Sequence, residues 1–328
     1  MIPQFGEVFG EPIPAYFAML MCGFAVAIGL GVVWAKRSGY DHDVIIDLGL
    51  GCLITGVLGA RILHVFVDGY FWNYVYLCTD PNQAVWQITQ AQCAQIQGSW
   101  DATAQMCHST QADCFAWAKF WNGGLVWYGG LLGAGVYGIR FLYKESVPVL
   151  KGMDMTGMVI PLGVFFGRLG CWFGGCCFGV HSDHFLAVSF PEMSPASEAQ
   201  FRAGELVSPN LPSLTVLPMQ LFEATACLAV SLFCTLWLHP RKRFDGQVFT
   251  VSMALYALAR VVLEAFRADD RGLFLGVSTS QWIGFAVIAV SAFYYVRWKK
   301  RAERIVALPF VEPVPTGAAP APASDEEE

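Results

Sequence analysis

One arginine and three cysteines lie within the apolar segment 161–179, PLGVFFGRLGCWFGGCCFG. A charged side chain at the centre of a membrane helix costs about 2.5–3.5 kcal/mol, so it usually faces a cavity or a partner. Arg168 is therefore a candidate functional group. The glycines of the segment allow close backbone approach and loosen the helix, so we expect a helix to about Gly170, followed by irregular backbone that lines a polar pocket. The alternative is a packing seam of small residues with one arginine that reaches the membrane surface.

A second group of charges lies in segment 257–272, ALARVVLEAFRADDRG. Arg260, Glu264 and Arg267 stand at positions i, i+4 and i+7, so they share one face of a helix. Pairing is how a membrane tolerates Arg260 and Glu264 together. An arginine that faces a cavity offers a planar fork to a phosphate or a carboxylate. The alternative is a structural ion pair near the outer membrane boundary.

Further polar groups are expected near the same end of the helices. Glu223 follows Gln220 by three residues, and Arg61 lies deep in an apolar run. Clustered arginines need an anion, and the abundant anion of a membrane is the phospholipid headgroup. Carboxylates beside them can orient the arginines or accept a proton.

Two tyrosines and a cysteine pair have open interpretations. Tyr16 opens the first apolar run, where an interfacial aromatic belt is the simpler explanation. Tyr128 lies between two glycine pairs in GGLVWYGGLLG. Cys176 and Cys177 are either a thiol shuttle or redox pair, or small buried residues that replace polar ones.

Composition indicates the elements that position these groups. The chain has 328 residues, 55% of them hydrophobic and 14% charged, with a mean hydropathy of +0.47. These values predict an all-α polytopic membrane protein. The first apolar run is of spanning length and its flank is not basic, so we expect it to be retained rather than cleaved. About seven transmembrane helices are predicted, over 15–35, 45–67, 122–143, 153–174, 218–239, 247–265 and 280–297.

The loops between these helices alternate in charge. Basic residues occur near Lys36, near Lys144, at 241–243 and at 297–304, whereas the other connections lack this excess. The positive-inside rule makes the basic set cytoplasmic. We therefore expect the N-terminus on the outer side of the membrane and the C-terminus in the cytoplasm.

Three segments differ in composition from the predicted helices. Two of them lie within the membrane domain 1–308, and the third follows it. The external insertion 68–121 has four cysteines, for which two disulfides are favoured over a zinc site because no CxxC spacing occurs. Three pairings are possible. The segment 175–217 is an external arm that acts as a lid or lies on the membrane surface, and the acidic tail 309–328 is expected to be disordered. The cysteines of the insertion are Cys78, Cys93, Cys107 and Cys114.

Taken together, these segments resemble the prolipoprotein diacylglyceryl transferases, a family of seven-helix bacterial inner-membrane enzymes. The resemblance covers the chain except for 74–117 and the tail. It implies transfer of a diacylglyceryl group from phosphatidylglycerol to the thiol of a lipobox cysteine in a prolipoprotein signal peptide, with loss of glycerol phosphate. The matching pieces are AYFAMLMCGF, GVLGARILHVF, GGLVWYGGLLG, GRLGCWFGGCCFG, LPMQLFE, ARVVLEAFRADD and STSQWIGF.

The family motif is kept at some positions and altered at others. The signature arginine falls on Arg168 and its final glycine on Gly179, and Arg260 keeps the Arg-x-x-x-Glu-x-x-Arg pattern. Phe222 replaces a tyrosine, Cys171 an asparagine, Cys176 a glutamate and Tyr128 a histidine that is proposed as a proton acceptor. The resemblance therefore implies the lipid donor more directly than the acceptor. The catalytic candidates are Arg168, Arg260, Glu264, Glu223 and Tyr128, and the substrate-binding candidates are Tyr16, Arg61, Gln220, Arg267, Gly179, Cys171 and Cys176.

Three alternatives remain open at this point. The chain could be a divergent paralogue that moves a lipid group to another acceptor, or a phospholipid-binding membrane protein without catalysis. Transport is disfavoured because the two halves show no matched pair of broken helices. We expect membrane lipids as further partners, no cofactor, no metal, no nucleic acid, and a monomer.

Overall fold

A computed structural model describes residues 4–8, 11–86, 93–94, 97–104, 106–119, 124–268, 273–274 and 276–306. Within this part, six helices are long and apolar enough to cross a membrane, which confirms the predicted fold class. A π-helical turn, Phe233–Leu238, and a short helical turn, His239–Arg241, extend the helix Met219–Leu232. The helices are α1 (Ala15–Ser38), α2 (His42–Val67), α3 (Phe71–Thr79), α4 (Trp127–Lys144), α5 (Val149–Gly174), α6 (Pro195–Arg202), α7 (Met219–Leu232), α8 (Gln247–Glu264) and α9 (Thr279–Val306).

The predicted span 122–143 corresponds to α4, a helix of 18 residues that contains several glycines and Arg140. It packs along α2 with the backbones in close approach. A Cβ atom added at Gly133 would lie 2.2 Å from the carbonyl oxygen of Thr55, and one at Gly59 would lie 2.4 Å from that of Gly129. Small residues on both helices therefore permit this pairing, as at other membrane helix interfaces.

The signature helix α5 is central to the bundle and contacts α1, α7 and α8. It continues to Gly174, so the expected break near Gly170 was wrong by one turn. Gly175 ends the helix with a φ of 71°, a left-handed conformation that suits glycine. Its N–H donates to the carbonyl of Trp172, and the next N–H donates to that of Cys171.

A buried carboxylate stabilises the other end of α5. Asp154 is fully buried and accepts hydrogen bonds from the N–H groups of Val248 (2.9 Å) and Phe249 (3.2 Å). These donors belong to the first turn of α8, where N–H groups lack partners within the helix. Lys242 Nζ lies 2.8 Å from the same carboxylate. Asp154 thus caps a neighbouring helix and forms an ion pair.

The external insertion is folded around its disulfides. Cys78 pairs with Cys114 and Cys93 with Cys107, which confirms two disulfides and selects one of the three pairings. The sheet order in this region is β3–β5–β4, and β1 pairs with β2 and β6 with β7, all antiparallel. The strands are β1 (Gln4–Val8), β2 (Glu11–Pro14), β3 (Val85–Trp86), β4 (Ser99–Asp101), β5 (Met106–His108), β6 (Leu273–Phe274) and β7 (Val277–Ser278).

The arm 175–217 has a small core of its own. Phe190, Ala196 and Val216 are buried together, and Trp172 at the end of α5 packs against them. The side chains of Phe185 and Val207, in contrast, are 86% and 88% exposed. A role as a lid or membrane-surface arm stays a prediction, as do the domain limits, and the tail 309–328 lies outside the described residues.

Candidate active site

Three arginines surround one glutamate near the C-terminal end of α5. Arg168 Nη2 lies 2.9 Å from Glu223 Oε1. The Nη1 atoms of Arg260 and Arg267 each lie 3.6 Å from Glu223 Oε2. The Glu223 side chain, on α7, is 3% exposed, so this contact joins α5, α7, α8 and the residues after α8 in a region of low solvent access.

A second glutamate holds one of these arginines. Arg260 Nη2 lies 2.8 Å from Glu264 Oε2, one helical turn along α8. Ser278 Oγ donates to Glu264 Oε1 at 3.2 Å, so the residue that precedes α9 also holds this carboxylate. Three guanidinium groups and two carboxylates leave one positive charge in excess (3 − 2 = +1). We call these five residues the arginine cluster.

Among the described residues, the buried polar atoms without a hydrogen-bond partner include Arg260 Nη1, within the cluster, and Gln220 Oε1, beside it. The other side-chain atom of Gln220, Nε2, donates to the carbonyl of Cys176 at 2.6 Å, which fixes the amide. Buried polar groups in folded proteins are nearly always bonded. The excess charge and the unsatisfied atoms together indicate a place for an anionic ligand.

Gly179 allows the backbone after α5 to cross the end of α8. It forms an antiparallel bridge with Arg267, and a Cβ atom there would lie 2.6 Å from Met219 Cγ and 2.7 Å from the carbonyl oxygen of Phe266. Any larger residue would displace this crossing and with it Arg267. The last glycine of the signature therefore positions an arginine, and its predicted role in substrate binding stays a prediction.

Tyr16 and three cysteines lie next to the arginine cluster. Gly170 packs against the first turn of α1, where a Cβ atom would lie 2.9 Å from Tyr16 Cδ2. The ligand atoms of Cys171, Cys176 and Cys177 all lie within 4.8 Å of one another, and we call them the three-thiol cluster. Sequence reasoning paired Cys176 with Cys177 but did not bring Cys171 to them, although all three stand in the signature.

Arg61 lies on α2 and Tyr128 on α4, whereas the arginine cluster is carried by α5, α7, α8 and the residues after α8. Arg61 donates to the carbonyls of Ala116 (2.7 Å), Trp117 (2.6 Å) and Gly124 (3.1 Å), so it ties the external insertion to α2. Tyr128 is 51% exposed and contacts the ring of Trp127. Their predicted roles in substrate binding and catalysis stay predictions.

The fold and the site define a polytopic helical membrane protein with a buried cluster of three arginines and two glutamates at the end of its central helix. Comparison with known families then gives a specific match. The family model described as prolipoprotein diacylglyceryl transferase matches residues 4–297. The chain belongs to the prolipoprotein diacylglyceryl transferase family, and the resemblance inferred from the sequence is confirmed.

The following curated relatives carry the corresponding enzyme name, and each matches this chain over most of its own length. A phosphatidylglycerol–prolipoprotein diacylglyceryl transferase of Clostridium tetani is 26% identical over 296 residues, which covers 90% of this chain and 97% of that protein. Transferase 2 of Clostridium perfringens is 25% identical over 88% of this chain and 93% of its own length. The Corynebacterium diphtheriae enzyme is 28% identical over 87% and 89%. The chain is therefore similar to whole enzymes of this class.

Proposed function

We propose that the protein transfers a diacylglyceryl group from phosphatidylglycerol to the thiol of a lipobox cysteine in prolipoproteins. Membership of the family supports the reaction. The observation that carries it is the arginine cluster, because a buried site with one excess positive charge and unsatisfied polar atoms suits the phosphate of a lipid headgroup. A bundle of apolar helices brings that site to the lipid.

The reaction exchanges a carbon–oxygen bond for a carbon–sulfur bond. The acceptor sulfur attacks the glycerol carbon that bears the phosphate, and a thioether forms. The bond from that carbon to the phosphate oxygen breaks, and glycerol phosphate leaves with the electron pair. The thiol proton must leave as well, since the thiolate is the nucleophile. Guanidinium groups on the phosphate stabilise the charge that develops on the leaving group.

The contacts support separate roles for the arginines and the glutamates. Arg168 and Arg260 hold the phosphate oxygens, for which the planar guanidinium offers two donors at once. Glu264 orients Arg260. Glu223 has both oxygens beside guanidinium groups. These contacts favour positioning of the arginines over proton transfer, so the proton acceptor for the thiol lies outside this carboxylate.

A transfer assay in detergent tests the proposal. Purified protein receives phosphatidylglycerol labelled in its acyl chains and a lipobox peptide with one cysteine. We expect labelled peptide with the wild-type chain and a loss of about a hundredfold or more with Arg168→Ala, since a lost charged hydrogen bond costs a few kcal/mol. The exposed Arg140→Ala on α4 is the matched control and should keep wild-type turnover. Wild-type turnover in Arg168→Ala would refute the phosphate-binding role.

The altered signature favours a second candidate, transfer to a different acceptor. Cys171, Cys176 and Tyr128 occupy positions where the resembling family has other residues, whereas the arginines are kept. A divergent paralogue would consume phosphatidylglycerol but ignore the lipobox peptide. Complementation of a bacterium depleted of its own transferase separates the two: growth supports the lipobox acceptor, and hydrolysis or transfer without growth supports the paralogue.

The proposed orientation puts the arginine cluster at the periplasmic face of the bacterial inner membrane. Arg168 lies at the opposite end of α5 from Lys151, in its first turn, and from the basic connection near Lys144, which the positive-inside rule assigns to the cytoplasm. A reporter fused after residue 243 should therefore behave as cytoplasmic. External behaviour of that fusion would reverse the proposed topology.

A further inference from the structure

The backbone after α5 folds back and brings three thiols together. The helix ends at Gly174, and the N–H of Cys176 donates to the carbonyl of Cys171 at 3.2 Å. Cys177 then has a φ of 61°, a left-handed conformation that is uncommon for a residue with a side chain. Such strain persists only where surrounding contacts impose it, and it is concentrated at functional sites.

The surroundings fix the three-thiol cluster from two sides. Gln220 Nε2 donates to the carbonyl of Cys176 at 2.6 Å, which anchors the turn to α7. The Arg267 side chain lies within hydrogen-bonding reach of the Cys177 thiol, and the guanidinium of Arg168 is also close enough to act on it electrostatically. The cluster therefore borders the arginine cluster, and the two share one polar region.

The spacing of the sulfur atoms suits a tetrahedral metal ion. Zinc–sulfur bonds are about 2.3 Å long, so two sulfurs on one tetrahedral zinc stand about 3.8 Å apart. All three Sγ atoms of the cluster lie within 4.8 Å of one another. Thiolates are the ligands that select soft or borderline metals such as zinc. Three sulfurs leave the fourth position open, which is the arrangement of catalytic rather than structural zinc sites.

Disulfide formation does not account for the cluster as well as a metal does. One disulfide can use only two of three thiols, and it would leave the third beside it. Cys176 and Cys177 are also adjacent in the chain, which constrains a bond between them. A metal uses all three sulfurs at once, and the nearby guanidinium groups of Arg168 and Arg267 offset the negative charge of three thiolates.

We propose that Cys171, Cys176 and Cys177 bind one zinc ion, and that the open fourth position binds the thiol of the acceptor. This inference rests on the proposed function and supplies its missing proton step. Zinc binding releases the three protein thiol protons to solvent. The acceptor thiol loses its own proton on coordination, because a metal-bound thiol is deprotonated outright.

The bound acceptor then reacts at the lipid. Its sulfur attacks the glycerol carbon, the carbon–oxygen bond breaks, and glycerol phosphate leaves on the arginine cluster. The thioether product has no negative sulfur and is a weak ligand, so it dissociates from the metal. The arginine cluster retains its directed hydrogen bonds to phosphate, which do not depend on the net charge of the whole region.

Metal content is the first test. The full chain is purified in detergent with reductant, loaded with zinc or with cobalt(II) as a spectroscopic probe, and freed of loosely bound ions. We expect about one metal per chain and intense thiolate-to-cobalt absorption in the near ultraviolet. The triple variant Cys171→Ala/Cys176→Ala/Cys177→Ala should lose both. The control Cys22→Ala/Cys52→Ala/Cys234→Ala removes three free thiols elsewhere and should keep both.

The wild-type measurement is decisive even if the triple variant does not fold. Less than stoichiometric metal in the reduced wild-type chain would overturn the proposal, as would unchanged cobalt absorption in the triple variant. The single variant Cys177→Ser gives a milder change, for which we expect weaker absorption and at least tenfold weaker metal binding. Equal binding in wild type and Cys177→Ser would also count against the site.

The acceptor step has its own readout. A lipobox peptide with cysteine should change the cobalt spectrum by adding a fourth sulfur, whereas the same peptide with serine should not. An unchanged spectrum at peptide concentrations that support transfer would refute acceptor coordination. The outcomes distinguish the two proposals. Metal-free protein that still transfers lipid would refute only the zinc site, and metal-loaded protein that never transfers lipid would refute only the reaction.

Discussion

The two ends of α5 each hold buried charges, and they hold them differently. At one end, Asp154 accepts two backbone N–H groups and pairs with Lys242, so its oxygens have partners. At the other end, Arg168 belongs to a cluster with excess positive charge and unsatisfied polar atoms beside it. The two sites lie 14 residues apart, about 21 Å along the helix axis.

This difference separates a structural ion pair from a binding site. A buried charge whose partners are complete contributes to the fold and requires nothing more. A cluster with a net charge either binds a ligand that neutralises it or lowers the stability of the fold. Functional sites often tolerate this loss of stability. The same physical principle therefore assigns the Asp154 site to stability and the arginine cluster to chemistry.

The largest expected effect is on stability, at the Asp154 site. Asp154→Ala should lower the free energy of unfolding by about 3–5 kcal/mol, because it leaves the first turn of α8 without its acceptor and Lys242 with Asp245 alone. Thermal unfolding in detergent measures this. Transfer activity per folded molecule should stay unchanged. Asp154→Asn keeps an acceptor oxygen, so its stability should fall between those of the wild type and Asp154→Ala. A catalytic defect without loss of stability would contradict the difference between the two ends of α5.

Arg260→Ala should give the opposite pattern. Losing a charge-assisted contact to the phosphate should reduce lipid transfer by about a hundredfold. Thermal stability should fall less than in Asp154→Ala, because relief of the excess positive charge offsets part of the lost pair with Glu264. Arg260→Lys should fail nearly as badly, since a point charge cannot replace the planar fork. Initial rates with labelled phosphatidylglycerol measure both variants. Full rescue by lysine would show that charge alone matters.

Glu264→Gln should have a smaller effect on the same arginine. The amide keeps one oxygen for Arg260 Nη2 but removes the charge from the pair, so we expect a loss of about tenfold in rate, or about 1.4 kcal/mol. Because Glu264 acts through Arg260, the double variant Glu264→Gln/Arg260→Ala should be no worse than Arg260→Ala alone. Additive losses in that cycle would argue for a direct role of Glu264.

Tyr128→Phe should have the smallest effect. The side chain is half-exposed on α4, and surface substitutions change free energies by about 0.5 kcal/mol or less, which is about twofold in rate. The transfer assay at several pH values measures this. A loss of tenfold or more, dependent on pH, would restore Tyr128 as the proton acceptor and weaken the case for zinc.

The sequence alone was sufficient for the membrane class, the helices and the order of the motifs along the chain. These follow from local properties: apolar runs of spanning length, and charges that repeat with the period of a helix. The pairing of Arg260 with Glu264 is local in this sense, since one helical turn separates them. The two disulfides were also predictable as a number, because four cysteines lie in one external insertion.

Only the tertiary structure decided which distant groups meet. Glu223 contacts arginines on α5, on α8 and in the residues after α8. Arg61 donates hydrogen bonds to carbonyls of the insertion. Cys171 lies beside Cys176 and Cys177 because of a left-handed turn. The sequence did not indicate a role for Asp154, because its partners lie about 90 residues further along the chain. Periodicity reports the face on which a residue lies, but packing between helices determines what that face meets.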